Sequence, residues 1–500
     1  MNEIVPNKLS YMEDLEKYFE KFRKNIIGNN YEFETPYGIK KIVYNDWLAS
    51  GRLYAPIEKK ISETFGPFVA NTHTETNETG TLMTYSYRHA HDLLKKHVNA
   101  GPNDVIITAG FGMTAVINKL QRIIGLKGCG IISHKECLKE KEKPVVFVTH
   151  MEHHSNHTAW YETLADVVVL KPDKDLLIDL DELRNQLNKF KDRKFKIGSF
   201  TACSNVTGII TPYHEMAKIM HEYGGLCFID FAASAPYVDI NMHPEDPMEK
   251  LDAIFFSPHK FLGGPGSAGV LIFDSAMYNC DVPDNPGGGT VQWTNPWGEY
   301  KYIDDIEVRE DGGTPGFLQA IRAALVIELK NQMGTEKIRI REEELVKIIF
   351  RELKKLPSIK ILADNVEDRL GVVSFYHDEI HYNLIVKLLS DRYGIQTRGG
   401  CVCAGTYGHF LLEVSNNMSK AITDKIAHGD LSEKPGWVRF SLHPTQTDDE
   451  MYYFVNALKE IFENHKEWRK DYLYDKTVNE FFHKEDKGLK KKKIENWFSF

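Results

Sequence analysis

From Ile42 to about Gly334, short β-branched runs alternate with stretches of helical periodicity, and few folds accept that pattern. The runs Val105-Ile-Ile-Thr108, Val145-Val-Phe-Val148 and Val167-Val-Val-Leu170 are followed by others that end at Asp230 and close to Lys260. Buried runs separated by helix-length segments predict an α/β domain with a mostly parallel sheet. Helices expected over 317–333 and 336–353 lead into a second block, with strands around Ile359 to Leu362, Leu370 to Phe375 and Trp437 to Leu442. Its last helix opens at Thr447-Asp-Asp-Glu450, a capping-box sequence, so the block reads as a smaller α+β domain. Tyr11, Met12, Leu15, Tyr18, Phe19 and Phe22 recur at helical spacing and predict an amphipathic helix over 8–27. The expected division is an N-terminal helical arm (1–41), a large domain (42–334), a small C-terminal domain (335–470) and a lysine-rich tail (471–500) with Lys490 to Lys493 solvated.

Two of the buried runs carry chemistry at their ends. Leu226-Cys-Phe-Ile-Asp230 ends in a carboxylate, and Asp252-Ala-Ile-Phe-Phe-Ser-Pro-His-Lys260 delivers an amine into a glycine-rich turn. Ligands of open α/β sheets sit outside the carboxyl ends of strands, so an acid and an amine there can share one crevice. Pyridoxal phosphate (PLP) needs that pair: a lysine to bond to it, and an acid to keep its ring nitrogen protonated. An ordinary surface lysine beside a loop is the alternative.

Composition excludes several classes. Sixty-two basic against 71 acidic residues give a net charge of −9, which argues against nucleic acid or an anionic membrane as the main partner. No apolar run is long enough to span a bilayer, and Met1-Asn-Glu-Ile-Val lacks the core of a secretory signal. Seven cysteines without regular spacing in 500 residues suit reduced thiols, and the expected location is cytoplasmic.

The remaining motifs leave choices open. Gly110-Phe-Gly112-Met113-Thr114-Ala115 turns from strand to helix and offers N–H groups to a phosphate; it also matches a dinucleotide fingerprint, as an NAD-dependent dehydrogenase would require. The next strand ends Val148-Thr149-His150 rather than in the acid that would bind a ribose. His150, His153, His154 and His157 crowd together with spacings that suit zinc, although a loop is expected there; one imidazole stacked on an aromatic cofactor, with the others bonded locally, needs no metal. Asn205 reads as a hydrogen-bond partner for a ring oxygen or as a turn residue, and Ser257 and His259 as phosphate donors. Cys401 and Cys403, on the glycine-rich loop Arg398 to Gly405, read as a pair holding a nucleophile or as incidental cysteines. Arg439, on an apolar strand, calls for an anion such as a substrate carboxylate.

Taken together these motifs resemble the class V aminotransferase superfamily of fold-type I PLP enzymes, and within it the cysteine desulfurase and selenocysteine lyase group. The similarity runs from about Ile42 to Phe462 through Asn71-Thr-His73, Gly112 to Asn118, Glu152 to Trp160, Ser204 to Gly208, Asp230, Ser257-Pro-His-Lys260, Gly313-Thr-Pro315, Arg398 to Ala404 and Arg439-Phe-Ser441. The resemblance implies a seven-stranded, mostly parallel sheet in the large domain and a homodimer with shared active sites. It implies that Lys260 bonds to the cofactor, Asp230 pairs its ring nitrogen, His153 stacks on the ring and Asn205 binds the ring hydroxyl. Gly112, Met113, Thr114, Ser257 and His259 would hold the phosphate, and Thr314 would reach the phosphate of the partner subunit. Cys403 would take sulfur from a small amino acid, with Arg398 and Arg439 on its carboxylate and a protein as possible sulfur acceptor. Three positions depart from the pattern: Ala233 stands where a glutamine touches the ring oxygen, with Ser234 a candidate to compensate; Met113-Thr114-Ala115 replaces two threonines and an acid; Cys401 replaces a histidine. Transamination, epimerisation or β-elimination with Cys403 incidental, and a non-enzymatic scaffold, are the rivals.

Overall fold

The computed structural model describes residues 14–127, 138–485 and 489–499. Its central sheet has seven strands: β1 (Asp104–Ala109), β2 (Val145–Thr149), β3 (Asp166–Leu170), β4 (Lys196–Thr201), β5 (Leu226–Asp230), β6 (Ala253–Phe256) and β7 (Gly269–Asp274). They lie in the order β1-β7-β6-β5-β4-β2-β3, and β7 alone runs against its neighbours. The continuous apolar runs follow from burial of both faces. Phe147, Ile229 and Ile254 enter one core cluster, while Val146, Val148, Phe228 and Phe255 point into a second on the other side. Because the strands other than β7 are parallel, the residues after Ala109, Thr149, Thr201, Asp230 and Phe256 emerge along one edge.

Helix α1 (Leu15–Arg23) packs Leu15, Phe19 and Phe22 into the first cluster. The part of the expected arm helix before residue 14 lies outside the described residues. Helices α2 (Met113–Ile123) and α3 (His154–Tyr161) open directly behind β1 and β2, and α4 (Phe317–Met333) and α5 (Thr335–Leu353) lead out of the central sheet.

A second, antiparallel sheet has the order β8-β9-β11-β10, from β8 (Ile359–Ile361), β9 (Val372–His377), β10 (Arg398–Gly400) and β11 (Trp437–Ser441). Its core is shared with α5 and with α6 (Asp448–Trp468), which begins in the capping box of Thr447 and Glu450. The supposed tail is corrected here: Tyr472–Asp475 and Glu480–His483 form a hairpin whose Tyr472 and Phe481 are buried in that same core. Lys493 is exposed, and the side chains of Lys490 to Lys492 lie outside the described residues. The chain also stitches the two sheets together early. Val43–Tyr44 pairs in parallel with Ile395–Gln396, and Asp46 bridges to Ser441 at the end of β11.

Candidate active site

The strand ends surround a cavity of about 860 Å³. Asp230 closes β5, and β6 runs out at Phe256 into the short turn Pro258–Lys260, so the acid and the amine open onto this one space. Asp230 is 3% exposed, and its carboxyl accepts one hydrogen bond among the described residues, from the Ala232 N–H to Oδ1 at 2.8 Å, which leaves the second oxygen for a ring nitrogen. Burial raises it to about 6, with Ala232 and Lys260 holding it back. Burial also lowers Lys260 to about 8; Asp230 opposes this, and Arg439 and Arg398 reinforce it. The amine is therefore far easier to deprotonate than an ordinary lysine.

At one end, Gly112 caps α2, and Ser257 Oγ accepts the Met113 N–H at 2.8 Å, leaving its own hydroxyl proton to donate. Thr114 Oγ1 and Ser155 Oγ are 2.6 Å apart, and His259 lines the same corner. A Cβ on Gly112 would stand 3.0 Å from Ser257 Oγ and crowd this hollow, which glycine leaves open. Hydroxyls gathered at a helix start suit a phosphate group.

His153 caps α3, and its Nδ1 accepts the Ser155 N–H at 3.1 Å. That bond fixes the ring plane and places the proton on Nε2, while burial and Lys260 push the imidazole down to about 3, so it is neutral. The segment expected to be a loop is helical from His154 onward, because the imidazole of His153 supplies the cap. The other histidines have local partners: His150 Nε2 meets the Leu176 carbonyl, His154 Nε2 accepts the Gly405 N–H, and His157 Nε2 meets the Tyr161 hydroxyl. Among the described residues no group of three or more His, Cys, Asp or Glu is arranged to hold a metal ion.

Asn205 donates from Nδ2 to the Val402 carbonyl at 2.7 Å, yet its buried Oδ1 has no partner. The hydroxyl of a bound ring would supply the missing donor. Val402 belongs to the opposite wall, which the second sheet provides. Arg398 and Arg439 face each other across β10 and β11, and both line the cavity with Cys403. Cys403 is exposed, its carbonyl accepts the His154 N–H at 2.8 Å, and it sits at φ 59° beside Val402 at φ 44°. The Ala404 N–H closes this turn onto the Cys401 carbonyl, and two non-glycine residues with positive φ make it a strained one, at a cost of about 1–3 kcal/mol each. Cys401 is half-buried and does not line the cavity.

Asp46 escaped the sequence reading, and Glu152 was named there only within the histidine cluster, without a role. Asp46 accepts from Arg439 at 2.9 Å and from Arg398 at 3.0 Å. Glu152 is 1% exposed and accepts from Thr149 N and Oγ1, Thr201 N and Asn156 Nδ2, which ties the ends of β2 and β4 together beneath His153. The signal was a lone acid in each case, one in the apolar run Val43 to Leu48 and one inside the histidine cluster. Two expectations fail to reach the cavity. Ser234 is buried with its hydroxyl unpartnered and is not in the lining, so it does not replace the hydrogen bond lost at Ala233, which is. Thr314 is exposed on a separate loop, beside the contact of His73 Nε2 with the Gly313 carbonyl at 3.2 Å.

The sequence profile of the aminotransferase class-V family matches residues 43–454, which spans both sheets and every residue of the cavity. The chain belongs to the aminotransferase class-V family. As a class V enzyme it is PLP-dependent, which displaces the dinucleotide and scaffold readings. A probable cysteine desulfurase of Halalkalibacterium halodurans is 27% identical over 371 residues, 73% of this chain and 84% of the relative. A cysteine desulfurase of Haloferax volcanii is 26% identical over 370 residues, covering 72% and 80% of the two chains. Among solved structures, the apo cysteine desulfurase of Thermococcus onnurineus superposes with a TM-score of 0.71 at 22% identity, over 89% of this chain and 98% of that one. This last likeness shows the shared fold, that of the fold-type I PLP enzymes. The donor set of the cavity fits the cofactor at each end: an unpaired carboxylate oxygen, an orphaned amide oxygen, a lowered amine and a hollow of hydroxyls.

Proposed function

We propose that this class V enzyme is a homodimeric, cytoplasmic cysteine desulfurase, acting on L-cysteine or its selenium analogue. One observation carries this reading: the amine of Lys260, the carboxyl of Asp230, the thiol of Cys403 and the guanidinium groups of Arg398 and Arg439 line a single cavity. Bound PLP supplies an electron sink for the carbon that loses its sulfur. Asp230 would keep the ring nitrogen protonated, Asn205 and the Gly112 to Thr114 turn would hold the ring hydroxyl and the phosphate, and neutral His153 would face the ring. The lowered basicity of Lys260 suits a group that takes the substrate's α proton and returns one to carbon. Arg439 and Arg398 orient the carboxylate. The Cys403 thiolate then attacks the substrate sulfur, so that cysteine and the Cys403 thiol become alanine and a Cys403 persulfide, with atoms conserved. Strand β10 and the turn after it put that thiol on an exposed loop, where a protein acceptor can reach the sulfur.

The partner subunit is supported by the motifs the cavity leaves out. Asn71 to His73, Gly287 to Thr290 and Gly313-Thr314 converge outside the cavity, with a Cβ on Gly289 only 3.1 Å from His73. Beside them the hairpin Val291–Thr294 and Tyr300–Tyr302 exposes Trp293, Trp297 and Tyr300. Thr314 would thus serve the neighbour's phosphate site. Incubation of the holoenzyme with L-cysteine and a thiol reductant should yield alanine and sulfide in equal amounts, and Cys403→Ser should stop both while leaving the PLP spectrum intact. Keto acid or pyruvate as the product, unchanged in Cys403→Ser, would give the transaminase or β-lyase reading instead.

A further inference from the structure

Arg398 and Arg439 stand directly opposite each other on neighbouring strands, an arrangement in which two like charges repel. Arg439 is 3% exposed, so its charge also lacks water. The structure resolves both problems with one residue. The backbone of Asn45 to Leu48 is laid along the end of β11: the Ser441 N–H donates to the Asn45 carbonyl, the Leu48 N–H donates to Ser441 Oγ, and Asp46 bridges to Ser441. Trp47 stacks on His443 at 4.1 Å and pins the segment from the other side. Asp46 is thereby delivered between the arginines, with Oδ1 2.9 Å from Arg439 Nη2 and Oδ2 3.0 Å from Arg398 Nε.

We infer that Asp46 is a positioning residue for the substrate, building the two guanidinium groups into one rigid cradle with a single net positive charge. This inference rests on the amino-acid reading of the cavity. Asp46 takes Nη2 of Arg439 and Nε of Arg398, and the Asn205 carbonyl takes Arg439 Nη1 at 3.2 Å; Arg439 Nε is left buried without a partner, and the terminal nitrogens of the half-exposed Arg398 make no bond among the described residues. Two guanidinium groups less one carboxylate leave one positive charge, which matches one carboxylate of a neutral amino acid. The cradle forms only when the segment at 43–48 lies across the second sheet, so the site depends on a stretch about 350 residues away in sequence from its arginines.

The test is titration of the holoenzyme with L-alanine, which presents the carboxylate without the thiol, alongside KM and kcat for L-cysteine. In Asp46→Asn, alanine binding and KM for cysteine should both weaken by about tenfold or more while kcat changes less than threefold, since misplacing a clamp costs binding before chemistry. Asp46→Glu, which keeps the charge, should recover at least half of that loss on a logarithmic scale. The PLP spectrum and the thermal midpoint of each variant report whether the fold survives, and Asp46→Glu keeps the test alive if Asp46→Asn unfolds. Unchanged alanine affinity in a folded Asp46→Asn, or a loss of kcat alone, overturns the inference. Failure of the wild-type enzyme to bind any amino acid would instead overturn the proposed function.

Discussion

The two walls of the cavity are built by different rules. The cofactor wall consists of residues that follow parallel strands and are fixed by backbone, with Asp230 buried and the others half-buried: Asp230 ends β5, Lys260 follows β6, His153 caps α3 and Gly112 caps α2. The substrate wall comes from the second sheet and its loops, with Cys403 exposed, Arg398 half-exposed and only Arg439 buried. A wall that would hold a permanent ligand is thus set by the ends of the central sheet. The one proposed to admit substrate and hand sulfur onward keeps an open side.

That contrast can be broken or sharpened by experiment. The largest effect belongs to the cofactor wall: Lys260→Ala should abolish the borohydride-reducible adduct and lower turnover by on the order of 10²–10⁴, the usual worth of a positioned acid-base group. An adduct that survives would move the bonding amine elsewhere. Within the substrate wall the two arginines should part company. Arg439→Ala strands Asp46 beside a buried hole and should lower unfolding stability by about 3 kcal/mol, whereas Arg398→Ala, at a 48% exposed side chain, should cost about 1 kcal/mol or less. Both should raise KM for cysteine, and chemical denaturation of the two variants checks the split.

A smaller effect lies in pH. Burial lowers Lys260 to about 8, so the amine is mostly free above that pH and protonated below it. The rate at which apoprotein takes up PLP should rise as pH increases towards 8 and level off above it; a rate still climbing tenfold per unit past pH 9 would mean an ordinary lysine. The smallest change is at Ala233. Since Ser234 does not reach the cavity, Ala233→Gln should add one hydrogen bond and tighten PLP by about 1 kcal/mol, roughly fivefold, in a fluorescence titration.

The cofactor wall was legible in the sequence because strand ends are visible as places where a buried run stops at a polar residue. Asp230 and Lys260 each stand at such a stop, and the sheet order brings β5 and β6 side by side. The substrate wall was legible only as isolated motifs. Nothing local says that Arg398 and Arg439 face each other, and nothing at all says that Asp46 lies between them, because that contact joins segments about 350 residues apart. The hairpin of residues 472–483 was missed for another reason. Its lysine-rich surroundings suggest solvent, while the signal lies in the alternation that buries Tyr472, Phe481 and His483 and exposes Leu473, Glu480 and Phe482. The helix after His153 was missed because an imidazole cap is rarer than a serine or aspartate one.

The claim that ties the walls together is that the lysine and the thiol serve one substrate. It is tested by treating the PLP-loaded protein with L-cysteine in the absence of reductant or acceptor, then mapping the sulfur by peptide mass spectrometry and counting alanine. The account predicts one extra sulfur atom on the peptide carrying Cys403 and one alanine released per site, with neither formed by Lys260→Ala. Alanine released without sulfur on Cys403, or sulfur on Cys403 in Lys260→Ala, would contradict it.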